Sequence, residues 1–392
     1  MAEEREIISG ASLWRDAWKR LLRNKLAVFG MLVLGIMLVA VIVGPQVLYL
    51  ATGYTADAIP ADGNLIKSFP PSWAHLFGTD EAGRDLLARV LQGGRISLMV
   101  GIISTIVSLA VGVSYGAIAG YLGGRIDNFM MRLVDIIYAI PYILIVIVLL
   151  KVFGGSNTPI LVSWVPAILT GFILLLVGIP AAVALYRNVG EYLDQRMRGF
   201  TLSFVSFIVG LVETVLLVAI IWSAASFVSS TSLGDRLSDF YTAKFDQSLS
   251  QIFLLFFALG LVSWLTMARV VRGQILSLKN QEFVTAARAT GVSTFGIIFK
   301  HLIPNALGPV IVYATLTVPS VMLTEAFLSF LGLGVQAPYA SWGSLASDGI
   351  KNIAIYPWQL IAPSVTMALT LFSLNFLGDG IRDALDPQTR KF

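Results

Sequence analysis

The chain has 392 residues, 56% of them hydrophobic and only 13% charged, with a mean hydropathy of +0.80. Soluble domains carry about 25% charged residues, so the composition excludes an ordinary water-soluble domain and describes an integral membrane protein. The formal net charge of +4 is small and does not point to nucleic acid, and with no cysteine the chain can form neither a disulfide nor a thiolate metal site.

Residues 1–25 carry Arg5, Arg15, Lys19, Arg20, Arg23 and Lys25. The apolar run that comes next, 26–50, is too long for a signal-peptide core, so no cleavable signal is expected. It is long enough for a span, which needs about 20 residues. The next stretch, 51–97, is polar at first and ends in HLFGTDEAGRDLLARVLQGGRISLMVG (75–101). There Gly78-Thr79-Asp80 reads as a turn and N-cap. Leu86, Leu87, Val90 and Leu91 form one apolar stripe, which predicts an amphipathic helix lying at the external membrane face.

Seven further spans are expected at 98–120, 132–153, 159–186, 201–228, 252–269, 305–330 and 359–378, making an all-α polytopic protein of about eight transmembrane helices. An even count sets both termini on one side. The connections on that side hold Arg125 and Arg132; Arg187, Arg196 and Arg198; Arg269, Arg272, Lys279, Arg288 and Lys300; and Arg382, Arg390 and Lys391. Those on the other side hold Lys151, Arg236, Lys244 and Lys351. Basic residues concentrate on the cytosolic side, so both termini are expected in the cytosol. Residues 51–97 break the pattern with Lys67, Arg84, Arg89 and Arg95, but long translocated loops follow the charge rule weakly. Pro141, Pro166, Pro180, Pro319 and Pro363 are placed to kink spans.

Between two apolar runs lies QEFVTAARATGVSTFGIIFKHLIP (281–304), polar and basic. It reads as helix, glycine, helix. Ala286, Ala287 and Ala289 favour a small-faced helix, Gly291 supplies the break, Ser293 and Thr294 can cap the second helix, and Pro304 marks entry to the next span. Such a knob is something for another protein to hold; the plainer reading is a solvated connector.

The segment resembles the "EAA" coupling loop of ABC-importer permeases, whose pattern is EAA, three residues, Gly, nine residues, Ile-x-Leu-Pro. The register is Thr285-Ala286-Ala287, Gly291, His301, Ile303 and Pro304, with Thr for Glu at 285, His for Ile at 301 and Ile for Leu at 303. The stretches 12–34, 75–101, 327–349 (FLSFLGLGVQAPYASWGSLASDG) and 376–391 (FLGDGIRDALDPQTRK) are similar to the C-type permease subunit of dipeptide and oligopeptide importers. The likeness covers about 1–153 and 251–392. It implies a cytosolic segment and first span (1–50), an external loop with an amphipathic helix (51–97), and a transmembrane domain (98–392). That domain departs from the six-helix family core by an inserted helical pair at about 156–250.

The resemblance also implies roles for the residues of the loop. Ala286, Ala287 and Gly291 would seat in a groove on an ATPase subunit, with Glu282 and Arg288 at its polar rim and Thr285 and Pro304 completing the motif. The implied partners are a sister permease, ABC ATPase subunits, an extracytoplasmic solute-binding protein, membrane lipid and a peptide substrate, in a bacterial plasma (inner) membrane. Nickel chelates, glutathione and sugars are the other solutes that family members with close motifs carry.

No GxxxxGK[ST] phosphate loop occurs, so ATP hydrolysis is not expected in this chain. The two histidines, His75 and His301, are far apart in sequence, and no catalytic, cofactor or metal constellation is expected. Asp135, Lys151, Glu213 and Glu325 fall in or near apolar runs, where a charge at mid-membrane costs about 2.5–3.5 kcal/mol and so must face protein or water. Asp135 reads as structural. Glu213, inside the insertion, finds a partner in its hairpin or is protonated. Glu325 either lines a translocation path or makes an interhelix hydrogen bond. Two other functions compete: an ion-coupled secondary transporter using Glu213 and Glu325 as proton carriers, and a scaffold that recruits an ATPase without transporting.

Overall fold

The computed structural model describes residues 13–59, 68–154 and 247–385. The expected spans 159–186 and 201–228, most of the 156–250 insertion, Glu213 and the side chain of Lys151 lie outside the described residues. Of the other six expected spans, five are helical throughout and 132–153 is helical on both sides of a break at Ile140 and Pro141. An amphipathic helix, α1 (Leu13–Arg23), leads into α2 (Lys25–Thr52), then α3 (Leu86–Leu122), α4 (Gly124–Ala139) and α5 (Tyr142–Gly154). After the insertion come α6 (Gln247–Leu278), the short α7 (Glu282–Ala289), α8 (Ile303–Phe330), α9 (Trp342–Lys351) and α10 (Trp358–Leu385). Among the described residues there is no strand, only an isolated bridge between Thr79 and Asp85. Five of these helices are long and apolar enough to cross a membrane. The pair α4 and α5, bent by 80°, makes a sixth if it is one span.

The bend falls at Pro141, one of the prolines expected to kink a span. Ile140 is extended (φ −80°, ψ 128°), as the residue before a proline prefers to be, and ends α4. The amphipathic helix expected at the external membrane face forms the first turns of α3, which runs unbroken from Leu86. Two residues of its apolar stripe meet protein: Leu86 and Val90 are buried against Trp342 and Leu345 of α9, while Leu87 and Leu91 are half-buried. Gly93 and Gly94 leave room for this contact, since a Cβ on Gly94 would fall 2.6 Å from the Trp342 ring. The N-cap of α3 is Asp85, not the Gly78–Asp80 turn; Asp85 Oδ1 accepts from Ala88 N at 2.8 Å. Asp80 closes its own turn, accepting from Ala82 N and Arg84 N at 2.9 Å each.

The core is built on α3. Ser104, Ser108, Gly112, Gly116 and Gly120 recur every fourth residue, so they form one ridge along the helix. This ridge lies against α6 so closely that a Cβ on Gly116 would sit 2.3 Å from the Ala268 carbonyl, and one on Gly120 would sit 2.9 Å from that of Arg272. Small residues let membrane helices gain dispersion contact along their backbones where no hydrophobic driving force exists between them. Ser104 Oγ adds a bond to the Phe256 carbonyl at 2.8 Å. A second close pair joins α2 to α10, where a Cβ on Gly380 would meet Ala27 at 2.3 Å. At the same end Ala17 and Leu21 of α1 pack with Ala384.

Candidate functional site

The 281–304 segment stands at the end of the bundle where α3 finishes and α6 runs on past its apolar stretch. Three basic residues of this end tie it together. Arg272 holds Asp127 of α4 with two parallel bonds, Nε–Oδ1 at 2.5 Å and Nη2–Oδ2 at 2.6 Å, and Asp127 is buried. Arg269 donates to Asp135 Oδ1 at 2.8 Å and lies over the Tyr138 ring, 4.3 Å from its centroid. Lys279 Nζ donates to the Gly120 carbonyl at 3.0 Å, at the negative end of the α3 dipole. Asp135, expected to be structural, is thus paired with α6, in an ion pair that stays largely exposed.

On this base sits α7. Val284 and Ala287, one helical turn apart, are buried in a cluster with Met267, Val271 and Ile275 of α6 and Ile297 and Leu302 of the segment after it. Glu282, Thr285, Ala286, Arg288 and Gly291 are exposed. This divides the expected docking set: Ala287 anchors the knob to its own protein, and the outer face is made by the rest. Arg288 leans over the Tyr121 ring, its guanidinium 5.3 Å from the centroid.

The turn after α7 requires glycine. Gly291 has φ +78°; its N–H donates to the Arg288 carbonyl at 3.0 Å, and the next N–H, of Val292, reaches back to Ala287 at 3.1 Å. These two bonds satisfy carbonyls that the helix end leaves open, in the Schellman arrangement. No atom approaches within 4 Å of where a Gly291 Cβ would stand, so backbone conformation alone selects the residue. Ser293 then caps the next helical turn (Thr294–Gly296), accepting from Gly296 N at 3.2 Å, as expected; Thr294 is inside that turn.

The chain continues helically from Thr294 through a π-helical stretch, Ile297–Leu302, into α8. The cause of the wide turn is Pro304, which supplies no N–H. Just before it the ladder slips by one, and Ile303 N–H bonds the Ile298 carbonyl five residues back. The Asn305 side chain donates to the carbonyl of His301 at 2.6 Å. Phe295, 61% exposed, stacks on Phe299 at a 4.2 Å centroid distance beside the Gly291 turn. Sequence reasoning passed it over, although a phenylalanine in a polar segment was the available signal.

Glu325 lies far from this knob, near the other end of α8. It is 1% exposed, and accepts from Ser329 Oγ at 2.8 Å and from Ser341 Oγ at 2.7 Å. Ser341 is the N-cap of α9, with a capping box to Ser344. Gly343 leaves room for the carboxylate, since a Cβ there would meet Glu325 Oε2 at 3.0 Å. Of the two readings of Glu325, its contacts here are those of an interhelix hydrogen bond.

Two family models match the chain. That for the binding-protein-dependent transport system inner membrane component covers residues 112–196 and 163–391. That for the N-terminal TM domain of oligopeptide transport permease C covers 12–65. Among curated proteins, the chain is 37% identical over 384 residues to the oligopeptide transport system permease protein OppC of Haemophilus influenzae, covering 98% of this chain and 91% of that protein. It is 37% identical over 383 residues to OppC of Escherichia coli (strain K12), covering 98% and 94%. To the dipeptide transport system permease protein DppC of Bacillus subtilis it is 35% identical over 381 residues, covering 97% and 87%.

Proposed function

Since this chain belongs to the family of binding-protein-dependent transport system inner membrane components, we propose that it is the permease subunit of an ATP-driven importer of di- and oligopeptides, forming half of the translocation pathway. The observation that carries the mechanism is the exposed helix α7 on a buried footing. Val284 and Ala287 fix it to α6, while Glu282, Thr285, Ala286, Arg288 and Gly291 remain exposed to meet an ATPase subunit. A helix held this way moves as part of the bundle, so closure of paired ATPase subunits would tilt the spans and switch the pathway between outward- and inward-facing states. The chain supplies motion transfer; ATP hydrolysis belongs to its partner.

A sister permease completes the pathway in this reading, and an extracytoplasmic solute-binding protein delivers the peptide. The chain is a multi-pass membrane protein. The face carrying α1 and α7 is cytosolic, which the exposed Arg23, Lys25, Arg125, Arg288 and Lys300 on that face support. The transmembrane domain, 98–392, is interrupted at about 156–250, and the family model's match in two overlapping stretches supports an interruption there.

The test is purification of the tagged protein from native membranes with and without Gly291→Trp, together with peptide uptake by the assembled complex. An ATPase subunit retained by wild type and lost by the variant, with uptake that requires ATP, is the expected result. Uptake driven by a proton gradient without ATP, and no ATPase in either sample, would replace the importer with the ion-coupled transporter.

A further inference from the structure

We propose that a charge-free cleft at the bend between α4 and α5 is where this subunit contacts the passing peptide, and that it holds the peptide by its main chain. The proposal rests on the importer reading. The cleft, about 470 Å³, lies between the bend, α6 and α8, and among the described residues no Asp, Glu, Lys or Arg lines it. That volume is within the range of about 300–1,000 Å³ typical of small-ligand sites.

Its polarity comes from hydroxyls in a line. Tyr313, Thr317, Ser320 and Thr324 are spaced four, three and four apart, so they share one side of α8 over about 16 Å. Ser263 of α6 faces them, and Tyr138 stands at the end of α4. A hydroxyl bonded to its own helix keeps an unused acceptor lone pair, which water or a polar ligand can fill and hydrocarbon cannot.

The hydroxyls are also biased toward accepting. Ser263, Thr317, Ser320 and Thr324 each donate to the carbonyl four residues back in their own helix, at 2.9, 2.8, 3.1 and 2.9 Å. With the proton committed inward, the oxygens of Ser263, Ser320 and Thr324 offer lone pairs to the cleft, while Thr317 is buried and hydrogen-bonded to Tyr313. A peptide brings the complementary group at every residue, its backbone N–H. Donors come from the bend: α5 starts after Pro141, whose carbonyl takes Leu144 N–H at 2.9 Å. The N–H groups of Tyr142 and Ile143 precede the first intrahelical bond, as at any helix start. Arg269, which lies over the Tyr138 ring of the lining, is paired with Asp135. A wall of this kind discriminates little between peptides that differ in side-chain charge.

The absence of native cysteine makes the test direct. Ser320→Cys, Thr324→Cys and, on the apolar outer side of α10, Phe372→Cys are introduced singly into the full chain, assembled with its partner subunits in membrane vesicles. A membrane-impermeant methanethiosulfonate reagent is expected to label positions 320 and 324 but not 372, and a transported tripeptide to slow labelling at 320. Ser320→Lys is expected to lower uptake of a lysine-containing tripeptide about tenfold relative to a glutamate-containing one, the ratio given by 1.4 kcal/mol. Wild type should take up both comparably. Intact ATP-dependent uptake with no labelling at 320 or 324 overturns the cleft and leaves the importer standing. Labelling that peptide does not slow, with no charge bias in Ser320→Lys, overturns peptide contact. Loss of ATP dependence in wild type overturns the importer reading, and the peptide assignment with it.

Discussion

Arg95 of α3 supplies the hydrogen bond that Pro45 removes from α2. Proline has no N–H to offer the carbonyl four residues back, which is that of Val41, and Arg95 Nε donates to this oxygen at 2.8 Å. Its Nη2 bonds the Ile42 carbonyl at 2.7 Å and Gln46 Oε1 at 2.9 Å. The guanidinium thus repairs a helix on another element. Arg95→Ala is expected to destabilise the detergent-purified protein by about 1–3 kcal/mol, the cost of carbonyls left unsatisfied. Adding Pro45→Ala should recover part of the loss, because alanine restores the donor to Val41. Thermal unfolding of the single and double variants checks this, and strict additivity would refute the coupling.

The ridge on α3 makes a sharper contrast. Gly116→Ala places a methyl inside the contact distance of the Ala268 backbone, so α3 and α6 must separate, and the folded yield should fall steeply. Gly35→Ala meets nothing within 4 Å, and alanine is favoured over glycine in a helix by about 1 kcal/mol. It should be neutral or mildly stabilising. Size-exclusion profiles of the two variants compare them directly.

For the base of the knob, Arg272→Ala leaves Asp127 buried without its partner. Breaking a buried pair costs about 3–5 kcal/mol, and the partial exposure of Arg272 (31%) points to the lower end. ATPase retention should fall with stability. The reversed pair, Arg272→Asp with Asp127→Arg, should regain some of both, whereas a purely steric role for Arg272 predicts no recovery.

Glu325→Gln separates two mechanisms. If the side chain holds α9 through Ser329 and Ser341, glutamine keeps an accepting oxygen and ATP-dependent uptake should persist. Glu325→Leu should lose both folding and uptake, since Ser341 then has no acceptor in a buried site. A proton carrier predicts the opposite for glutamine, with uptake abolished in a well-folded protein.

Much of this was legible in the sequence, for reasons that differ by element. The apolar runs located the five membrane-length helices and the bent α4–α5 pair because lipid demands them. The ends were misjudged wherever a helix outlasts its apolar run: α6 continues to Leu278 on Arg269 and Arg272, whose charges are absorbed by α4. The choice between Asp80 and Asp85 as cap could not be made locally, since both precede helix-compatible residues. In α7, alanine at three positions said helix, but which alanine faces inward depends on α6; Val284 three residues earlier was the only hint for Ala287. The partnership of Arg95 with α2 crosses some fifty residues and left no local trace.

The helical run from Thr294 to Phe330, 37 residues, is about 55 Å of strut at 1.5 Å per residue. One end is embedded in the α7 knob through Ile297 and Leu302, and the other is pinned to α9 by the Glu325–Ser341 bond. The two mouths of the molecule are therefore opposite ends of a single lever. In the proposed importer, a push at the knob would travel along this run to the platform that α9 helps to form.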